Sequence, residues 1–215
     1  PLPGGYSVSG NAIYDENGDK HLFHGIARPS TEWNPSGENL SKADFALQQS
    51  WGANVTRLSL NQDFWLPGAA KYSSSYEQNI DTAITWAEEL GMDVILDLHW
   101  SDKGDLQNGN PGQQRMADQN SVTFWTSVAN KYKDDGHILF ELYNEPHDVS
   151  WEVWLNGGDS GDGFQVAGMQ DLYDAVRATG ATNLALIGGL DYAYNLQGVP
   201  AHKVQGFNIV YVTHP

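Results

Sequence analysis

A chain of 215 residues with 40 % hydrophobic content can bury a sizeable core, and a single domain over residues 1–215 is the first expectation. Its formal charge of −16, from 27 acidic against 11 basic residues, argues against a nucleic-acid partner, because phosphate binding needs a basic face. Without cysteine there are no disulfides, thiolate zinc sites or thiol nucleophiles, and the apolar runs fall far short of the roughly 18 residues of a membrane-spanning helix.

The N-terminal "PLPGGYSVSG" lacks a charged start followed by an apolar stretch, so a secretion signal, if there was one, is expected to have been removed. Residues 6–20 read as an opening hairpin that turns near Glu16, Asn17 and Gly18, with a strand following at about 22–27. A weak helical pattern covers 41–51, and "NVTRLSL" at 54–60 is a strand. In 76–91, Ile80, Ala83, Ile84, Ala87 and Leu90 recur at helical steps, with Ser75 placed to cap the start and Gly91 to end it. "MDVILDLHW" at 92–100 is the next strand, then a turn-rich loop at 102–114 and a helix at 119–134. "HILFELYN" at 137–144, a helix at 164–179, "NLALIGG" at 183–189 and "FNIVYVTH" at 207–214 continue the alternation.

Apolar strands separated by crossover helices imply a parallel sheet covered by helices. A doubly wound open sheet and a closed barrel both fit that pattern. No Gly-rich phosphate turn follows any strand, and polar residues gather at the strand ends, where barrels place their chemistry. The expected fold is therefore a (β/α)8 TIM barrel, although only six of the eight strands can be counted, with the 6–20 hairpin closing its bottom.

The stretch "ILFELYNEPH", 138–147, carries two carboxylates out of an apolar strand. Glu141, Tyr143 and Glu145 share an alternating phase, as do Asp97 and His99 one strand earlier. A buried Glu141 needs a partner, and Arg57 is the nearest by strand order. Glu145 lies where Pro146 forces the chain out of the sheet; partly desolvated and near other carboxylates, it is expected to have a raised pKa, as a general acid requires. Singly, each signal has a bland reading, since Asn-Glu-Pro is usually only a turn and a lone strand-end His usually structural. Arg57, His99, Asn144 with Glu145, and His214 form an ordered set.

"TRLSL", "LDLHW", "LYNEPH" and "YVTHP" resemble the second, third, fourth and sixth strands of family 5 glycoside hydrolases, the endoglucanase-like retaining enzymes, and "LFHGIARPSTEWN" resembles their first strand and loop. The resemblance implies double displacement at a β-glycosidic bond. Glu145 would be the acid/base, with a second carboxylate roughly 5 Å away as nucleophile. It also implies that Asn144 bonds the sugar 2-hydroxyl and that Arg57, His99 and His214 hold the carboxylates and the sugar. Trp33, Trp65, Trp100, Trp151, Trp154 and Tyr192 stand in or beside strand-end loops as candidates for stacking on sugar rings, with a core role equally open to each.

The family's nucleophile is a Glu at the end of the seventh strand, and no Glu follows Glu152 here. Asp159, Asp162, Asp171, Asp174 and Asp191 all precede the sixth strand. The expectation is an N-terminal piece, inactive alone, whose partner is the missing segment of the same barrel or a second copy, besides the polysaccharide. The expected activity is a secreted endo-β-1,4-glucanase without metal or cofactor. β-Mannanase or xylanase activity by the same mechanism, or a non-catalytic carbohydrate-binding protein, are the alternatives. A metal hydrolase using His99 and His214 is disfavoured because no HxH or HExxH spacing occurs.

Overall fold

A computed structural model describes residues 2–215. Three short antiparallel strands come first: β1 (Ser7–Ser9), β2 (Ala12–Tyr14) and β3 (Lys20–His21). Asp15 builds the turn between β2 and β3, its Oδ1 accepting from the backbone N–H groups of Asn17 and Asp19 at 2.9 Å each. The remaining elements are β4 (Gly25–Arg28), α1 (Lys42–Ser50), β5 (Val55–Asn61), α2 (Gln62–Trp65), α3 (Tyr76–Glu88), β6 (Asp93–Trp100), α4 (Gln119–Tyr132), β7 (Ile138–Glu141), α5 (Trp151–Asn156), β8 (Gly158–Asp159), β9 (Gln165–Val166), α6 (Met169–Ala178), β10 (Ala185–Gly188) and β11 (Ile209–Val212).

Six strands form one sheet in the order β4-β5-β6-β7-β10-β11, with every neighbouring pair parallel. Strands adjacent in space follow one another in the chain, and four of the five connections run through helices, the connectivity of a (β/α) barrel; β10 reaches β11 through turns and isolated bridges. All four residues of β7 and of β10 are buried, whereas β4 and β11, at the two sheet edges, stay partly exposed.

Alternation along the strands separates two faces. Leu58, Leu60, Val94, Leu96, Ile138, Phe140, Ala185 and Ile187 belong to the main core with the helices. Leu139, Leu184 and Leu186 pack on the other face with Ile95, Val210 and Val212, and the opening ribbon adds Tyr6, Val8, Ile13 and Phe23. Hydrogen bonds dock the ribbon against the strand starts. Tyr6 Oη donates to Asp93 Oδ2 at 2.7 Å, and the Val8 N–H donates to Asn208 Oδ1 at 3.1 Å. Arg57, Asp97 and Glu141 share that second face, further along the strands.

Three local expectations change. Ser75 makes no capping hydrogen bond because its backbone is already helical (φ −98°, ψ −6°); its hydroxyl faces Ser73 Oγ instead. The helix expected from 164 begins at Met169, since Gln165–Val166 pair with β8 and Gly168 lies against the Leu155 carbonyl, where a Cβ would stand 2.2 Å away. β7 ends at Glu141, so its phase does not run on to Glu145; Tyr143 joins the main core, its hydroxyl within 3.0 Å of Ser101 Oγ and of the Gln114 carbonyl.

Candidate active site

The site grows from three strands. In parallel register Asp97 of β6 lies beside Glu141 of β7, two carboxylates on one apolar-walled face. Both are buried, and Arg57 on β5 supplies the countercharge. Its Nε and Nη2 donate to Glu141 Oε2 and Oε1 at 2.7 and 2.9 Å, the bidentate fork for which guanidinium is suited. Nη2 also reaches Asp97 Oδ2 at 3.0 Å and Asn144 Oδ1 at 2.7 Å. The partnership expected for Glu141 is present, with Asp97 as a third member.

His99 Nδ1 lies 2.5 Å from Asp97 Oδ2, which places a proton on Nδ1 and turns Nε2 toward Asn144 Nδ2 at 3.4 Å. Asn144, 1 % exposed, is thereby held from both sides, and its backbone N–H donates to the Leu98 carbonyl at 3.0 Å. Just beyond β11, His214 spans two glutamates, Nε2 at 3.3 Å from Glu141 Oε1 and Nδ1 at 3.1 Å from Glu145 Oε1. Arg57, His99, Asn144, Glu145 and His214 therefore form one contiguous network, although residues up to 157 positions apart supply it.

Environment sets the charge states. Burial pushes the Glu141 carboxyl up, but Arg57 and His214 outweigh it and lower the pKa to about 2. Burial raises Asp97 despite the opposing pull of Arg57 and His99. The His99 imidazole is pushed down by burial, and Asp97 more than compensates, leaving it raised. His214 is raised by its hydrogen bond to Glu141, against burial.

Glu145 departs from expectation. Burial pushes its pKa up, yet the hydrogen bonds from His214 and from Gln113 Nε2, the latter 2.6 Å from Oε2, leave it lowered. The carboxyl is only part-buried and meets donors on both oxygens, so the free site stabilises the carboxylate rather than the acid.

The aromatic candidates divide. Trp33 is exposed and Trp100 half-buried; with Phe64, Lys71 and Pro111 they line a cleft of about 440 Å³. Tyr192, also exposed, stacks on His147 with ring centroids 4.3 Å apart. Trp65 is not available to a ligand: it is 1 % exposed, packs against Tyr76, Phe124 and Tyr132, and donates from Nε1 to Ser127 Oγ. Trp154 is likewise core, bonded to the Gly188 carbonyl, and Trp151 is wedged between Trp154 and His202.

Sequence reasoning passed over Gln113 and Glu32. Glu32 is 2 % exposed, accepts from the Ser30 N–H at 2.7 Å, and has a pKa raised by burial. The carboxylate beside Trp33 in a strand-end loop was a readable signal; an amide in the turn-rich 102–114 loop was not. The late aspartates are engaged locally: Asp171 accepts from the Gly168 N–H, Asp174 from Gln170, Asp191 from Asn195, Asp159 from the Gly161 N–H, and Asp162 pairs with Lys103. Among the described residues no three His, Asp or Glu side chains converge as a metal site, and no helix is long and apolar enough to cross a membrane.

The sequence model described as cellulase (glycosyl hydrolase family 5) matches residues 14–215. The chain belongs to glycosyl hydrolase family 5. Among similar proteins, the manganese dependent endoglucanase Eg5A of Phanerodontia chrysosporium is 28 % identical over 183 residues, covering 80 % of this chain and 42 % of that protein. Endoglucanase C of Evansella cellulosilytica is 26 % identical over 216 residues, covering 94 % of this chain and 25 % of that protein. This chain thus spans less than half of either relative. A β-glucanase of Saccharophagus degradans superposes with a TM-score of 0.74 at 24 % identity, covering 98 % of this chain and 61 % of that one. An endocellulase of Pyrococcus horikoshii, solved with cellotetraose, gives 0.73 at 20 % identity, covering 100 % and 70 %. The fold of this family 5 chain is that of the (β/α)8 barrel, six of whose strands form the parallel sheet described above.

Proposed function

We propose that this chain carries the acid/base side of a retaining endo-β-1,4-glucanase active site. The observation that carries the reading is the placement of Glu145. It leaves the sheet beside Asn144, itself clamped by Arg57, and faces His214 with one oxygen. Substrate would enter along the cleft between Trp33 and Trp100, whose ring faces suit the apolar faces of sugars. Cellotetraose in two structural neighbours and the endoglucanase names of the relatives favour a β-glucan over a mannan or xylan.

In this mechanism Glu145 protonates the departing glycosidic oxygen and later takes a proton from water. Asn144, with Oδ1 committed to Arg57, offers Nδ2 to the sugar 2-hydroxyl. Glu141 is occupied by Arg57 and His214, and the late aspartates by local partners, so the attacking carboxylate is assigned to barrel strands outside these six. A barrel needs eight strands to close, and β4 and β11 are the edges they would pair with. The six strands without them are expected to bind sugar but not to form the covalent intermediate. Secretion belongs to the same reading, since a polymeric substrate does not enter cells.

Glu145→Gln in the protein at its full natural length tests the assignment. Polysaccharide hydrolysis should fall by about 10²-fold or more, while aryl glycosides with activated leaving groups lose far less in the glycosylation step. Equal, small losses on both substrates would remove Glu145 from the role.

A further inference from the structure

We propose that Gln113, on the long loop between β6 and α4, is a positioning residue for Glu145. Its side-chain amide holds the outer carboxyl oxygen and follows the proton through both halves of the reaction. The inference rests on the acid/base reading of Glu145 and adds a residue to it.

The geometry is specific to one oxygen. His214 Nδ1 faces Oε1 at 3.1 Å, and Gln113 Nε2 donates to Oε2 at 2.6 Å. Oε2 is therefore the oxygen free of the imidazole, the one that can carry a proton to a departing glycosidic oxygen. A primary amide can serve it in either state, donating from Nε2 to the carboxylate and, after rotating about its last torsion, accepting at Oε1 from the protonated acid. Neither an imidazolium nor an ammonium can do both.

The loop around Gln113 is anchored. Gly112 and Ser101 exchange two backbone hydrogen bonds of 2.9 and 3.0 Å, fixing the residue before it. The Gln114 carbonyl accepts from Tyr143 Oη at 3.0 Å, fixing the residue after it to the segment that bears Glu145. The Arg115 carbonyl accepts from the His147 N–H at 2.9 Å, and His147 Nδ1 lies 2.9 Å from the Glu145 carbonyl. Backbone on both sides of Gln113 is thus tied to residues 143–147, while its own side chain remains at the solvent edge, able to yield to a sugar.

Other ionisable groups also act on Glu145. Arg57 of β5 and His99 of β6 lie behind it, Glu141 of β7 reaches it through His214, and His214 touches it directly. Substitutions at Gln113 leave all four in place. With the amide gone, the carboxylate loses one of its two side-chain donors and its pKa rises.

The pH profile of kcat/KM on polysaccharide, measured in the protein at its full natural length, tests the assignment. The alkaline limb reports deprotonation of the acid. Gln113→Ala should move that limb up by about half a unit, Gln113→Glu further up by adding a like charge, and Gln113→Lys down. Activated aryl glycosides, whose departure needs little acid assistance, should keep their rates within about threefold at the optimum. An alkaline limb unmoved in all three variants overturns the inference. Glu145→Gln serves as the reference: if the limb persists there, the acid/base reading itself fails, whereas its loss there beside unmoved Gln113 variants condemns the Gln113 role alone.

Discussion

Two groups of buried carboxylates lie near the C-terminal ends of the strands, and only one of them is held by cations. Asp97 and Glu141 share the Arg57 guanidinium, with His99 and His214 completing the shell. Asp63, Asp102 and Asp118 are each fully buried, and among the described residues none of them pairs with a Lys, Arg or His. Asp118 caps α4, accepting from the N–H groups of Asn120 and Ser121 at 2.8 and 3.3 Å, and Asp102 accepts from Asn120 Nδ2 and the Gly104 N–H. Neither oxygen of Asp63 has a donor. Burial, then the Asp102 carboxyl, push Asp63 up to about 8, and burial with Asp102 raises Asp118 to about 6. One group is held by cations, which keep the Glu141 carboxyl charged; in the other, burial without a cation pushes Asp63 and Asp118 toward the protonated acid. The cation-held group is the one joined to Asn144 and Glu145.

Removing the shared cation is the most disruptive way to erase that contrast. Arg57→Met leaves two buried carboxylates without their shared guanidinium and should destabilise the fold by about 3–5 kcal/mol, read by urea denaturation. Glu141→Leu should cost roughly 3 kcal/mol by itself, and the Arg57→Met, Glu141→Leu double variant should recover part of the summed loss. Strict additivity in that cycle would mean the pair does not interact. The Glu141 pKa is lowered from the usual 4.5 to about 2, so its contribution is complete above pH 4.5 and fades as pH falls toward 2.

The opposite sign is expected in the second group. Asp63 has a folded pKa raised far above its unfolded value, so the folded state holds the extra proton and stability falls as pH rises from the usual 3.8 through about 8. Asp63→Asn removes that liability and should stabilise the protein by about 1–3 kcal/mol at alkaline pH, with the gain vanishing near pH 4. A thermal-melt series across pH checks it; a constant offset at every pH would show that Asp63 does not titrate in this range. Least is expected of Asp118→Ala, about 1 kcal/mol lost with the α4 cap, partly offset by relief of Asp102 and Asp63.

The strand-end motifs were legible because each depends on a short run of chain. Two-residue alternation puts Asp97 with His99, and Pro146 marks that the chain has left the sheet at Glu145, although the strand itself already ends at Glu141. Arg57 as partner of Glu141 was also readable, since a buried carboxylate demands a cation and few were on offer. The Glu145 charge state was misread because it depends on donors 32 and 69 residues away, Gln113 and His214, which no local pattern announces. Trp65 stayed open between ligand and core for a related reason: four residues of α2 turn it into the core, and a helix that short leaves almost no periodic trace.

By itself the sequence determined what local sterics and periodicity control: parallel strands alternating with helices, the turn near Glu16, Asn17 and Gly18, the stop at Gly91, and the ordered set Arg57, His99, Asn144, Glu145 and His214. Only the tertiary structure decided which tryptophans face the cleft, which amide meets Glu145, and which buried carboxylates receive a cation. Those outcomes depend on distances between segments far apart in the chain, and electrostatic and hydrogen-bond energies change steeply over an ångström that sequence spacing does not specify.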